Sequence, residues 1–198
     1  MPLITTRSGG SASAFGGLGA SVGAAILPPS YESIATNVLS TNTSSVTFTS
    51  IPGTYTHLQL RFISRSSSGG TGQDGIRMRF NSDSSSAYSW HYLGGDSNIG
   101  YGGAGVNQTY TYPGVSVNNG FGGSRFGTTI CDILDYTNTN KYKTMRSLSG
   151  GDNNGNGEIY VFSSNWRNTN AITQIELALI SGASFMTNSA FALYGIKG

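Results

Sequence analysis

From residue 46 onward, apolar and polar side chains alternate in short runs. Val46 and Phe48 open the series. Leu58, Leu60 and Phe62 follow against Gln59 and Arg61, then Ile76, Met78 and Phe80 against Arg77 and Arg79, and Tyr88, Trp90 and Tyr92 against Ser89 and His91. A period of two turns successive side chains to opposite faces, so each run predicts a strand with one face buried. Further strands are expected at 109–112, 128–134, 143–148, 158–163, 172–180 and 190–196. The separators at 66–75, 81–86, 94–105, 137–140, 150–157 and 165–170 are rich in Gly, Ser, Asn and Asp, the residues that accept the dihedrals of tight turns. No amphipathic helix of useful length competes. About ten strands predict one all-β domain over residues 31–198, an antiparallel β-sandwich of jelly-roll type.

Residues 1–30 break the pattern. Six glycines, at 9, 10, 16, 17, 19 and 23, stand among serines and alanines, which disfavours an isolated helix. Phe15, Leu18, Val22, Ile26 and Leu27 are apolar but carry too little bulk to bury one another. The segment therefore reads as an extended N-terminal arm that orders only against another chain, with Arg7 and these five residues as its partner-binding positions. Pro28 and Pro29 separate it from Tyr31. Residues 11–14 imitate a small-residue cleavage site, yet no apolar stretch precedes them, and no run reaches 18 apolar residues. Neither secretion by that route nor membrane insertion is expected.

Charge then narrows the partners. Charged residues make up 10% of the chain, well under the roughly 25% usual for soluble domains, so Ser, Thr and Asn must carry the surface. Such a surface is covered by a neighbour at little desolvation cost, which favours assembly. A net charge of +2 with no basic block gives no footprint for nucleic acid.

Candidate chemistry is sparse. Residues 152–158, Asp-Asn-Asn-Gly-Asn-Gly-Glu, place oxygen side chains at the first, third and fifth positions and glycine at the sixth of a calcium loop. The twelfth position is Ser163 rather than glutamate, so the stretch reads as a polar hairpin turn. Cys131 lies inside an apolar strand pattern and predicts a small buried hydrophobe. His57 and His91 have no histidine or cysteine at ligand spacing. Asp83, Asp96, Asp132 and Asp135 form no pair recognisable by spacing. The glycines at 100–105 miss the dinucleotide spacing, and Ser124 lacks the second glycine of a nucleophile elbow. No catalytic residue, metal site or cofactor is expected. Arg61, Arg77 and Arg79 are expected to point away from the core. Among the aromatic residues, Tyr101 and Trp166 fall in predicted loops, where they are candidates for contact with a glycan or partner.

Several segments carry a resemblance. Ser50-Ile51-Pro52-Gly53-Thr54-Tyr55-Thr56-His57-Leu58-Gln59-Leu60-Arg61, Met78-Arg79-Phe80-Asn81-Ser82-Asp83 with Tyr88 and Trp90-His91-Tyr92, Asp132-Ile133-Leu134-Asp135-Tyr136, and Phe191-Ala192-Leu193-Tyr194-Gly195-Ile196 resemble small virion proteins of tailed phages, especially those of cyanobacteria and marine bacteria. The resemblance covers residues 31–198 and brings no catalytic motif. It implies a non-enzymatic structural protein: a capsid decoration or cement protein attached by its arm, or a tail fibre or receptor-binding protein that contacts host glycans. The implied partners are other copies of the chain, as a homotrimer, and the major capsid or tail proteins of the same virion. Synthesis would take place in the host cytoplasm.

Overall fold

The computed structural model describes residues 30–152 and 155–197. The expected arm, with Arg7, Phe15, Leu18, Val22, Ile26 and Leu27, lies outside the described residues. Twelve strands are present among those described: β1 (Tyr31–Val38), β2 (Ser45–Phe48), β3 (His57–Ser66), β4 (Gln73–Phe80), β5 (Tyr88–Gly95), β6 (Gly100–Gln108), β7 (Thr111–Asn118), β8 (Gly127–Leu134), β9 (Lys143–Gly151), β10 (Glu158–Trp166), β11 (Ile175–Leu179) and β12 (Ala190–Ile196). One 3₁₀ turn, Asn119–Phe121, follows β7.

The strands form a small sheet in the order β2-β11-β4-β7 and a large one in the order β1-β12-β3-β8-β9-β10-β5-β6. They meet where Arg65 and Ser66, at the end of β3, run parallel to Val117 and Asn118 of β7. The other strand pairs are antiparallel, and the pairing is nested. β1 pairs with β12, β2 with β11, β3 with β8 and β4 with β7. The hairpins β5–β6 and β9–β10 are inserted into this scheme and add four strands to the large sheet alone.

One core lies between the sheets. Leu58, Leu60, Phe62, Cys131, Ile133, Phe191 and Leu193 come from the large sheet, and Val46, Phe48, Ile76, Met78, Phe80, Ile175 and Leu177 from the small one. These are the residues that the period of two selects in β2, β3 and β4. The core closes at Trp166, whose ring packs on Phe80 at 5.4 Å and stacks with Tyr88 at 6.2 Å. Its indole Nε1 donates to Asp83 Oδ2 at 2.7 Å. Tyr88 donates its hydroxyl to the Asp83 carbonyl at 3.1 Å and accepts from the Phe80 amide at 3.1 Å. Asn81 adopts φ +51 in the β4–β5 turn and ties it to the segment before β11, accepting from the Thr173 and Gln174 amides and donating to the Ala171 carbonyl.

Three sequence expectations are corrected. Residues 94–105 are not a loop but the hairpin of β5 and β6. The glycines that suggest a loop lie under aromatic rings, because Gly103 pairs with Tyr92 and Gly105 with Trp90. A Cβ at Gly103 would stand 2.7 Å from the Tyr92 ring, and one at Gly105 2.6 Å from the Trp90 ring. Strand β7 runs to Asn118 instead of stopping at residue 112. Trp166 closes β10 rather than sitting in a loop, and it is 1% exposed.

Candidate interaction surface

The large sheet has two faces, and over β8, β9, β10 and β5 aliphatic side chains stand on the outer one, while the inner one carries hydroxyls beside aromatic rings. On β9, Ser147 and Ser149 point inward and are buried, while Leu148 between them is 50% exposed. On β8, Thr129 is buried and Ile130 is 41% exposed; on β10, Ser164 is buried, and Val161 and Ile159 are 48% and 59% exposed. On β5, Leu93 is 68% exposed beside the buried Gly94. A strand with one wet face normally turns its hydroxyls outward and its aliphatics inward.

The inward hydroxyls have a local cause. Strand β7 approaches β8 and β9 so closely that a Cβ at Gly114 would lie 2.5 Å from both Ser149 Oγ and Thr129 Oγ1. The two hydroxyls are 2.7 Å apart, and Ser149 Oγ accepts from the Val115 amide at 3.0 Å. Only small side chains fit in that gap. The outward aliphatics have no such cause among the described residues.

Register makes the exposed aliphatics a continuous band. Ile130 pairs with Leu148, Leu148 with Val161, and Val161 with Leu93, so four aliphatic side chains stand in one row across β8, β9, β10 and β5. Ile159 lies in the next row between Gly150 and Gly95, and Ile63 of β3 pairs with Thr128. Two hollows indent the band. One, of about 580 Å³, is lined by Phe126, Ile130, Leu148 and Ile159, with Asp96, Asp152 and Glu158 also on its wall. The other, of about 370 Å³, lies over Ile63, Thr128, Ile130, Ala190 and Ala192.

Charges border the band. One row from the aliphatic line, Asp132 faces Arg146 at 3.9 Å and accepts from Gln59 Nε2 at 2.7 Å. Arg61 lies 5.6 Å and 5.9 Å from the centroids of Tyr31 and Tyr194, which stack at 4.8 Å. Of the other arginines expected to face outward, Arg77 pairs with Glu176 at 3.5 Å and Arg79 donates to the Thr109 carbonyl at 3.0 Å; both are half-buried. The carboxyls near the large hollow are engaged in their own hairpins. Asp96 accepts from the Ile99 and Asn98 amides, which hold it below its ordinary pKa, and Glu158 accepts from the Tyr160 hydroxyl.

The two aromatic candidates part company. Trp166 belongs to the core with Tyr88 and Phe80, so its ring is closed to a ligand. Tyr101 lies in β6, half-buried, and its hydroxyl donates to Tyr160 at 3.2 Å. With Trp90, Tyr92, Tyr110, Tyr112, Tyr160 and Phe162 it forms one layer of ring contacts. Burial raises the pKa of both the Tyr112 and Tyr160 phenols.

The remaining candidates stay apart. Among the described residues, no three side chains of His, Cys, Asp or Glu converge as metal ligands. His57 Nδ1 accepts from the Asp135 amide at 2.9 Å, whereas His91 stands on the outer side of β5. Cys131 is buried in the core, and burial pushes its thiol pKa up to about 12, so the thiolate character that reactivity needs is missing. Sequence reasoning missed the aliphatic band itself. Its signal is present in Ser147-Leu148-Ser149 and Thr129-Ile130-Cys131, but only the register places Leu148 and Ile130 side by side.

Compared with family models, with curated proteins and with solved structures, the chain finds no match in any of the three.

Proposed function

We propose that this chain is a non-enzymatic structural protein of a tailed-phage virion, a capsid decoration or cement protein that attaches through residues 1–30 and stabilises the shell. The observation that carries the reading is the aliphatic band on the outside of the large sheet, in a chain with few charges to desolvate. A surface of that kind is suited to lasting cover by neighbours. The resemblance of residues 31–198 to small virion proteins supplies the phage context, with other copies of the chain and the major capsid protein as partners. The nested strand pairs support a jelly-roll reading, with β5–β6 and β9–β10 as insertions.

A tail-fibre or receptor-binding role is the second reading, favoured by the half-buried aromatic layer around Tyr101, because such rings stack on sugars. Copy number separates the two. Hundreds of copies per particle on a virion protein gel fit cement, and a dozen or two fit fibres.

Attachment is tested by deleting residues 2–27. The buried core residues among those described lie between Leu39 and Leu193, so the truncated chain is expected to remain folded by circular dichroism while no longer co-sedimenting with particles. Normal occupancy by the truncated chain would rule out the arm as the anchor.

A further inference from the structure

We infer that a second copy of this chain covers the outer face of β8, β9, β10 and β5, with Ile130, Leu148, Val161 and Leu93 at the centre of the contact. The inference rests on the assembling role proposed above and names the surface through which copies meet.

Three observations converge. The outward aliphatics come first: they stand on strands whose inner face already carries serines and aromatic rings, and the close approach of β7 accounts only for the serines. Area comes second. Ile63, Leu93, Ile130, Leu148, Ile159 and Val161 are each 41–68% exposed. Together they leave on the order of 600 Å² of mostly apolar surface in water, at the top of the ~300–600 Å² of the largest patch on an ordinary monomer and approaching the ~800 Å² that each side of a standard interface buries.

Relief and charge come third. The aliphatic row stands beside two hollows, so the surface offers both knobs and holes for an apolar face of the same kind. Sheets packed face to face settle about 10 Å apart with side chains interdigitated, which this relief permits. The flanking row carries both signs, Asp132 and Arg146, so a like surface meets it without enforced repulsion. A nucleic acid or an anionic membrane would call for a basic field, and the wall of the larger hollow instead carries Asp96, Asp152 and Glu158.

The test uses the purified full chain in the absence of particles, with its mass measured by light scattering across a dilution series. The wild type is expected to be oligomeric at micromolar concentration. The double variant Leu148→Glu, Val161→Glu is expected to run as a monomer with an unchanged circular dichroism spectrum, its association weakened on the order of a hundredfold or more, because charges enter an apolar contact. A photo-crosslinking residue at position 161 is expected to give covalent multimers on illumination, and this readout holds even if the double variant folds poorly. A monomeric wild type, an oligomer that survives both glutamates, or an absence of crosslinked multimers would overturn the inference. Particle co-sedimentation is measured separately. If it fails while the oligomer still depends on Leu148 and Val161, the virion role is lost and the self-contact stands.

Discussion

At the residue scale, a few polar side chains fasten loops to the core. Asp83 is one: its carboxylate accepts hydrogen bonds from the Trp166 indole N–H and the Ser85 amide. Burial works against its ionisation, but hydrogen bonds from Ser85 and Trp166 outweigh it and hold the carboxyl below its ordinary range. Asp83→Ala leaves a buried indole N–H without an acceptor. It should lower the unfolding free energy by about 2–3 kcal/mol, read as an earlier midpoint in a urea melt followed by tryptophan fluorescence. Lys143 is the other: fully buried, it donates to the carbonyls of Asn138, Lys141 and Thr169 and so joins the turns that follow β8 and β10. Burial draws its pKa below the usual lysine value. Lys143→Met keeps the bulk and removes three hydrogen bonds, with an expected loss of about 3 kcal/mol in the same kind of melt. A midpoint within error of wild type would refute the fastening role.

At the element scale, most strands are legible in the sequence, the inserted β5, β9 and β10 included, whereas β1 and β6 are not. Leu58, Leu60 and Phe62, and Ile76, Met78 and Phe80, reveal β3 and β4 because alternation there reports burial directly. In β6 the same period is hidden: Tyr101, Gly103 and Gly105 share the inner face, and two of the three have no side chain to count. Trp166 is misplaced for a related reason, since the Arg and Asn that follow it resemble a loop although its own ring fills the core. The aliphatic band is invisible because it depends on which residues pair across strands, and one sequence read alone does not give register. The glycines under rings supply a prediction. Gly103→Val puts a branched side chain where Tyr92 lies, so the ring must leave the layer, at a cost of about 1–3 kcal/mol. The check is thermal melting beside Ala104→Val on the outer face of β6, which should stay near wild type.

At the scale of the whole molecule, the carboxyls set the response to acid. Besides Asp83, Glu32 is lowered by Lys197 and Tyr55, Asp135 by Lys141, and Asp96 by the amides of its turn. Each titrates lower in the folded chain than in the unfolded one, so their contribution is present above about pH 4–5 and is lost as the pH falls through the folded values. The urea midpoint should therefore hold between about pH 7 and 5 and fall below about pH 4; a midpoint that rises on acidification would contradict these assignments. Glu32 and Lys197, 2.5 Å apart, also fix the beginning of β1 to the end of β12, so acid should loosen the pairing of the first and last strands. The two inserted hairpins have a different consequence. The nested pairs β1–β12, β2–β11, β3–β8 and β4–β7 do not require the tips of those hairpins, so a change of length or composition there leaves the pairing untouched. A short insertion at either tip should accordingly leave the urea midpoint near that of the parent chain, because the scroll of strands beneath is closed without it.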